Sequence, residues 1–172
     1  MSYIASPVSR NQLRELAAKI RRIIGYENKR CFPIIKFLEY CMDKIFEGFC
    51  FEYVEDNELL GLEGLTLPKE KLIKIPESIY YKAVMGDGRA RFAITHEVAH
   101  YFLHPDGSVI LAKANTPIPS YKNPEWQANT LASEILLPPN LTKNLDMIEI
   151  AATFDVSLTA AKYHVIQKER RD

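Results

Sequence analysis

Residues 91–104, Arg91-Phe92-Ala93-Ile94-Thr95-His96-Glu97-Val98-Ala99-His100-Tyr101-Phe102-Leu103-His104, decide how the rest of the chain is read. Phe92, Ala93, Ala99 and Leu103 supply apolar positions at helical spacing, and Pro105 closes the run, so the stretch predicts a helix beginning near Arg89. On that helix His96 and His100 stand four residues apart, and their rings project from one face toward a single point. Glu97 is turned aside by about a quarter-turn. A carboxylate placed there stands beside an ion held by the two imidazoles without having to bind it, which is where a general base takes a proton from water.

The bulk properties narrow the setting. With 172 residues, 47% of them hydrophobic, the chain is long enough for one full domain with its own core. Its 22 basic and 22 acidic side chains balance, which argues against a strongly nucleic-acid-binding or membrane-surface protein. No apolar run approaches the roughly 18 residues of a membrane span, and Met1 to Arg22 lacks a signal-peptide core, so no membrane association and a cytoplasmic location are expected. Cys31, Cys41 and Cys50 are odd in number and widely spaced, and read as small apolar residues in or near the core of a reduced protein.

Outward from the histidine pair, Leu13, Leu16, Ala17, Ile20 and Ile23 recur at helical spacing between Ser9, a plausible N-cap, and Gly25. Arg10, Arg14, Lys19, Arg21 and Arg22 give that helix a basic outer face. A second helix is expected from Pro33 to Gly48. Phe49 to Val54, Leu59 to Leu62 and Lys71 to Ile75 read as short strands of a small, mainly antiparallel sheet, and Glu77 to Val84 suits a strand or a helix equally. After Pro105 comes a loop of about twenty residues containing Gly107, Asn115, Pro117 and Pro119, long enough to wall a cleft. The next helix opens with Asn123 as cap and Pro124 in its first turn, and ends at Pro138-Pro139. Met147 to Phe154 and Ser157 to Arg170 are two further helices joined by a tight turn at Asp155-Val156.

This is the HExxH arrangement of zinc metallopeptidases, and two histidines do not complete such a site, which uses three protein ligands. His104 does not qualify. It lies eight residues beyond His96, about 12 Å along a helix, too far for both to sit about 2 Å from one ion. Glu125, just inside the helix that follows the long loop, and Glu134 on the same helix are the competing carboxylates. Asn129, one turn beyond Glu125, stands where it can support the ligand carboxylate or the backbone beside it.

The run 91–104 resembles the signature RFTxAHExGHxxLH of the ImmA/IrrE family of metallo-endopeptidases. Glu125-Trp126-Gln127-Ala128-Asn129, with Ala132 and Leu136-Leu137-Pro138, resembles that family's second signature, ExxANxFAxxLLxP. Both occur in the family's order and at a similar separation, and the likeness extends to Gly61-Leu62-Glu63-Gly64 upstream and Phe154-Asp155-Val156-Ser157 downstream. Carried over residue by residue, the resemblance implies that His96, His100 and Glu125 bind zinc and that Glu97 is the base. Ala93, Thr95, Ala99 and Leu131 depart from the usual residues without removing a ligand. His164 stands where the family's C-terminal segment commonly has Arg.

The resemblance implies an α+β, minimal zincin-like fold: a small sheet packed on the HExxH helix over residues 1–140, then a helix-turn-helix-like segment over 141–172. It implies a zinc endopeptidase cutting one specific protein, a helix-turn-helix repressor of a mobile element or stress response. Arg91, Tyr101 and Tyr121 are the candidate donors to the oxyanion. The alternative is a non-catalytic, zinc-containing regulatory module or toxin component that works by binding a partner regulator or DNA. For DNA stand Lys162, Lys168, Arg170 and Arg171 after the Asp155 turn; against it stand Asp146, Glu149, Asp155 and zero net charge. Oligomeric state is not legible in the sequence.

Overall fold

The computed structural model describes residues 3–105, 110–111 and 117–169. The elements run β1 (Tyr3–Ile4), α1 (Arg10–Ile23), α2 (Ile34–Tyr40), α3 (Met42–Ile45), β2 (Cys50–Val54), β3 (Leu65–Leu67), β4 (Leu72–Pro76), α4 (Glu77–Val84) and α5 (Gly88–Leu103). They continue with β5 (Ile110–Leu111), α6 (Pro124–Leu136), α7 (Pro139–Thr142), α8 (Met147–Phe154) and α9 (Leu158–Glu169). The fold is α+β. Gly107 and Asn115 of the long loop, and Arg170 and Arg171, lie outside the described residues.

Several helices, those that place the site among them, start where a side chain satisfies their free N–H groups. Ser9 and Gln12 exchange side-chain and backbone hydrogen bonds at the head of α1. Asp87 Oδ1 accepts from Ala90 N at 2.8 Å to open α5, and Asn123 Oδ1 accepts from Glu125 N at 2.9 Å to open α6. The ambiguous stretch from Glu77 becomes α4 because Asp56, distant in sequence, accepts from Ser78 N at 3.0 Å and supplies the cap that the local sequence lacks. The helix expected from Pro33 to Gly48 breaks at Cys41 into α2 and α3, which together bury Ile34, Phe37, Leu38 and Met42.

The sheet has the order β2-β4-β3 and is mixed, which corrects the mainly antiparallel expectation. β3 pairs with β4 antiparallel, but the longer pairing, from Cys50↔Leu72 to Val54↔Pro76, is parallel. Parallel neighbours need a long crossover, and residues 55–71 provide it, with β3 carried inside the crossover. The same segment corrects the strand expected at Leu59 to Leu62. Leu60 and Gly61 both have positive φ, 52° and 88°, so the chain turns there and Leu60 is left exposed.

The α5 and α6 helices pack face to face through Ala99, Val98, Ala128, Leu131 and Ala132, all fully buried. Alanines at the contact let the helix axes approach closely. Ile150, Phe154, Val156 and Ala161 from the C-terminal helices join the same buried cluster. The turn between α8 and α9, with Asp155 at φ 51°, presses on the first turn of α5: a Cβ on Gly88 would lie 2.5 Å from the backbone of Val156 and Ser157.

Part of the expected basic face of α1 turns inward. Arg21 is 1% exposed and donates to the backbone carbonyls of Ile135, Lys29 and Arg30. Arg14 and Arg10 reach Glu134 of α6, at 3.1 and 3.6 Å. Guanidinium groups can answer several buried acceptors at once, so the basic face is not wholly an outer one where α1 meets α6. Cys50 is exposed rather than part of the core, and none of the three cysteines is paired. No described helix is long and apolar enough to cross a membrane.

Candidate metal centre

The cap at Asn123 fixes the start of α6 so that Glu125, in its first turn, faces the histidines of α5. Its carboxylate oxygens lie 3.3 Å from His96 Nε2 and 3.2 Å from His100 Nε2, and the two Nε2 atoms are 3.0 Å apart. Two ligands about 2.0–2.1 Å from a tetrahedral ion stand about 3.3 Å from each other, so the triangle has the size a single small cation requires. Two imidazoles and one carboxylate are also the donor set of an open metal site, with a position left for water.

Neighbouring groups prepare these three. His96 Nδ1 donates to Asn129 Oδ1 at 3.0 Å, which directs Nε2 toward the shared point. Asn129 thus supports a histidine rather than the carboxylate or backbone near Glu125. Hydrogen bonds from His100 and then His96 hold the Glu125 carboxyl far below the ordinary carboxylate range, against the opposing effect of burial, so it is ionised. For His96, burial is the largest influence and disfavours the cation. The hydrogen bond to Glu125 and the negative charges of Glu97 and Glu125 together outweigh it, leaving the imidazole pKa above its ordinary value.

Glu97 stands outside the triangle. Its Oε2 accepts from Thr66 Oγ1 at 2.7 Å, and the same hydroxyl is 2.9 Å from the Glu97 backbone carbonyl. Just before β3, Gly64 passes so close that a Cβ there would lie 2.5 Å from Glu97 Cγ. Neither Thr66 nor the Gly64 contact was identifiable from the sequence, because both depend on how β3 crosses α5. The only trace was Gly64 within the stretch that resembles the family.

These groups line an open cleft of about 730 Å³ with Tyr3, Leu62, Leu65 and Phe92 on its walls. An ion pair between Arg89 and Glu63, 2.8 Å long, lies at its edge. A site of this composition can bind a divalent cation and a water molecule and present an extended apolar-walled groove to a ligand.

Other sequence candidates are placed elsewhere. Arg91 is buried at the base of α5, donating to the carbonyls of Asp155 and Phe32 at 3.1 and 2.9 Å. Tyr101 is buried with its ring 5.0 Å from both Phe46 and Phe49, away from the cleft. Tyr121 is exposed in the turn before α6, and its backbone carbonyl accepts from Val8 N and Gln127 Nε2. Glu134, the competing ligand, lies on the α1 side of α6 with the arginines. His104 caps the end of α5, 94% buried, and burial, followed by the proximity of His100, pushes its imidazole pKa down to about 4, so the ring is neutral.

A comparison with curated proteins returns no match. The family model Peptidase_M78, the IrrE N-terminal-like domain, matches residues 62–165, a span that begins at the cleft wall beside Gly64, takes in both helices that carry the candidate ligands and ends within α9. More than half of the chain is covered, and the chain belongs to this peptidase family.

Proposed function

We propose that the protein is a zinc-dependent endopeptidase. The observation that carries this reading is the convergence of His96, His100 and Glu125 on one point, beside a separately held Glu97 carboxylate. Zinc is the metal best matched to two imidazoles, one carboxylate and tetrahedral spacing. When bound, it supplies Lewis acidity that makes water a better nucleophile and a peptide carbonyl a better electrophile. His96, with its Nδ1 proton fixed on Asn129, presents Nε2 as a donor, and Glu125 contributes one negative charge that tightens binding. Glu97 takes the proton from the attacking water and carries it to the amine of the leaving strand. With Arg91, Tyr101 and Tyr121 placed elsewhere, none of the three is a donor to the oxyanion in this reading.

For the substrate we propose a helix-turn-helix repressor of a mobile element or stress response, a reading that rests on the family resemblance. The test is incubation of the purified protein, metal-loaded and metal-stripped, with purified helix-turn-helix repressors from the same genome. Cleavage that requires metal and is abolished by Glu97→Gln, with metal content unchanged, is expected. Tight binding of the repressor without cleavage would replace the peptidase by a regulatory binder, and cleavage retained by Glu97→Gln would sink the mechanism.

A further inference from the structure

We infer that Thr66 and Gly64 form a clamp that fixes which oxygen of Glu97 is free to move the proton, making Thr66 a positioning residue for the reaction. The inference rests on the reading of Glu97 as the general base.

A glutamate has three side-chain torsions, and in a helix its carboxylate sweeps a wide arc unless something holds it. Two independent contacts stop Glu97 from doing so. The first is steric: Gly64 occupies the space against Cγ and Cδ, where a Cβ would stand 2.5 and 3.0 Å away, so a larger residue at 64 fits only if Glu97 moves. The second is directional. The Thr66 hydroxyl carries one proton, and of the two acceptors within reach the charged Oε2 at 2.7 Å is stronger than the backbone carbonyl at 2.9 Å. With Oε2 engaged, Oε1 is the oxygen left to receive the proton.

Both clamp residues come from one segment, residues 64–67, which is the edge of the sheet order β2-β4-β3 and also lines the cleft through Gly64, Leu65 and Thr66. The base is therefore held by the same strand that a bound polypeptide meets. The metal ligands are held differently, by α6 through Asn129 and Glu125. The clamp consequently acts on proton transfer without acting on metal binding.

The experiment compares Thr66→Val, which removes the donor at nearly constant shape, with Thr66→Ser, which restores it, and adds Gly64→Ala. Each is prepared with zinc and assayed on a mixture of internally quenched fluorogenic peptides, alongside the unaltered protein and Glu97→Gln. On one peptide cut from that mixture, Thr66→Val is expected to lose ten- to a hundredfold in kcat with KM within twofold and zinc stoichiometry unchanged, up to the ~10²-fold that a misplaced group costs. Thr66→Ser should recover to within about threefold. The second readout is independent of turnover: crystal structures of the zinc forms, in which the Glu97 carboxylate keeps its place in Thr66→Ser and leaves it in Thr66→Val and Gly64→Ala. An active Glu97→Gln overturns the base assignment itself. If Glu97→Gln is inactive while Thr66→Val matches the unaltered protein, or Thr66→Ser is as impaired as Thr66→Val, the clamp is overturned and the base assignment stands. If the peptide mixture is not cut at all, an unmoved carboxylate in Thr66→Val overturns the clamp, and a displaced one supports it.

Discussion

His96 and Glu97 are adjacent in sequence, yet they are held from different elements of the fold. His96 is fixed from α6, by Asn129 and Glu125; Glu97 is fixed from β3, by Thr66 and the close pass of Gly64. Because α5 presents the two side chains about 100° apart, one helix can serve two supporting structures without either sharing a hydrogen bond. On the proposed reading, affinity for the metal and proton transfer are separable: a substitution on the α6 side should act on the first, and one on the β3 side on the second.

The largest expected effect breaks the α6 half outright. Glu125→Ala should lower zinc affinity by more than about a hundredfold, beyond what loss of a supporting group produces, and calorimetric titration of the metal-stripped protein measures it. If affinity is unchanged, Glu125 is not a ligand. Asn129→Ala sharpens the same half, with an expected loss of about 10–100-fold in affinity and little change in the position of Glu97. A lost base without lost metal would reverse the assignment of the two sides.

Gly88→Ala tests the scaffold common to both halves. The added methyl meets backbone rather than a flexible side chain, so a loss of about 1–3 kcal/mol in unfolding free energy is expected, read from denaturant titration. The smallest effect lies far from the cleft. The Tyr80 hydroxyl donates to Glu39, and this bond, then burial, raises its pKa from about 10 to about 12. Since the folded value is the higher one, the contribution of Tyr80 to stability is complete below pH 10 and fades as pH rises through 12. Spectrophotometric titration of tyrosinate should lose one late-ionising group in Tyr80→Phe, beside that of Tyr101, whose burial also raises its pKa, with zinc affinity untouched.

What the sequence disclosed follows the same division. The α6 half is written in local patterns: an i, i+4 pair of histidines, and an Asn-Pro-Glu helix start that fixes where Glu125 points. Spacing could not choose between Glu125 and Glu134. The choice is made by the arginines of α1, which lie on the Glu134 side of α6. The β3 half depends on a parallel crossover and a left-handed turn at Leu60-Gly61, and strand direction leaves no periodic mark in so short a segment. Arg91 and Tyr101 share the signature run with the candidate ligands, but their side chains leave the helix on other faces, into the Phe32–Asp155 contact and the Phe46–Phe49 cluster. Membership in a motif says that a residue is on the helix, and rotation about the helix says what it touches.

The short β1 strand has a practical consequence. Tyr3 is tied to Leu111 across the β1–β5 pair and stands on the cleft wall with His96 and His100. A purification tag attached ahead of Tyr3 is carried close to that wall, where it can interfere with binding in the groove. Assays of this protein should therefore use material from which such an extension has been removed, so that an inactive preparation is not mistaken for an inactive enzyme.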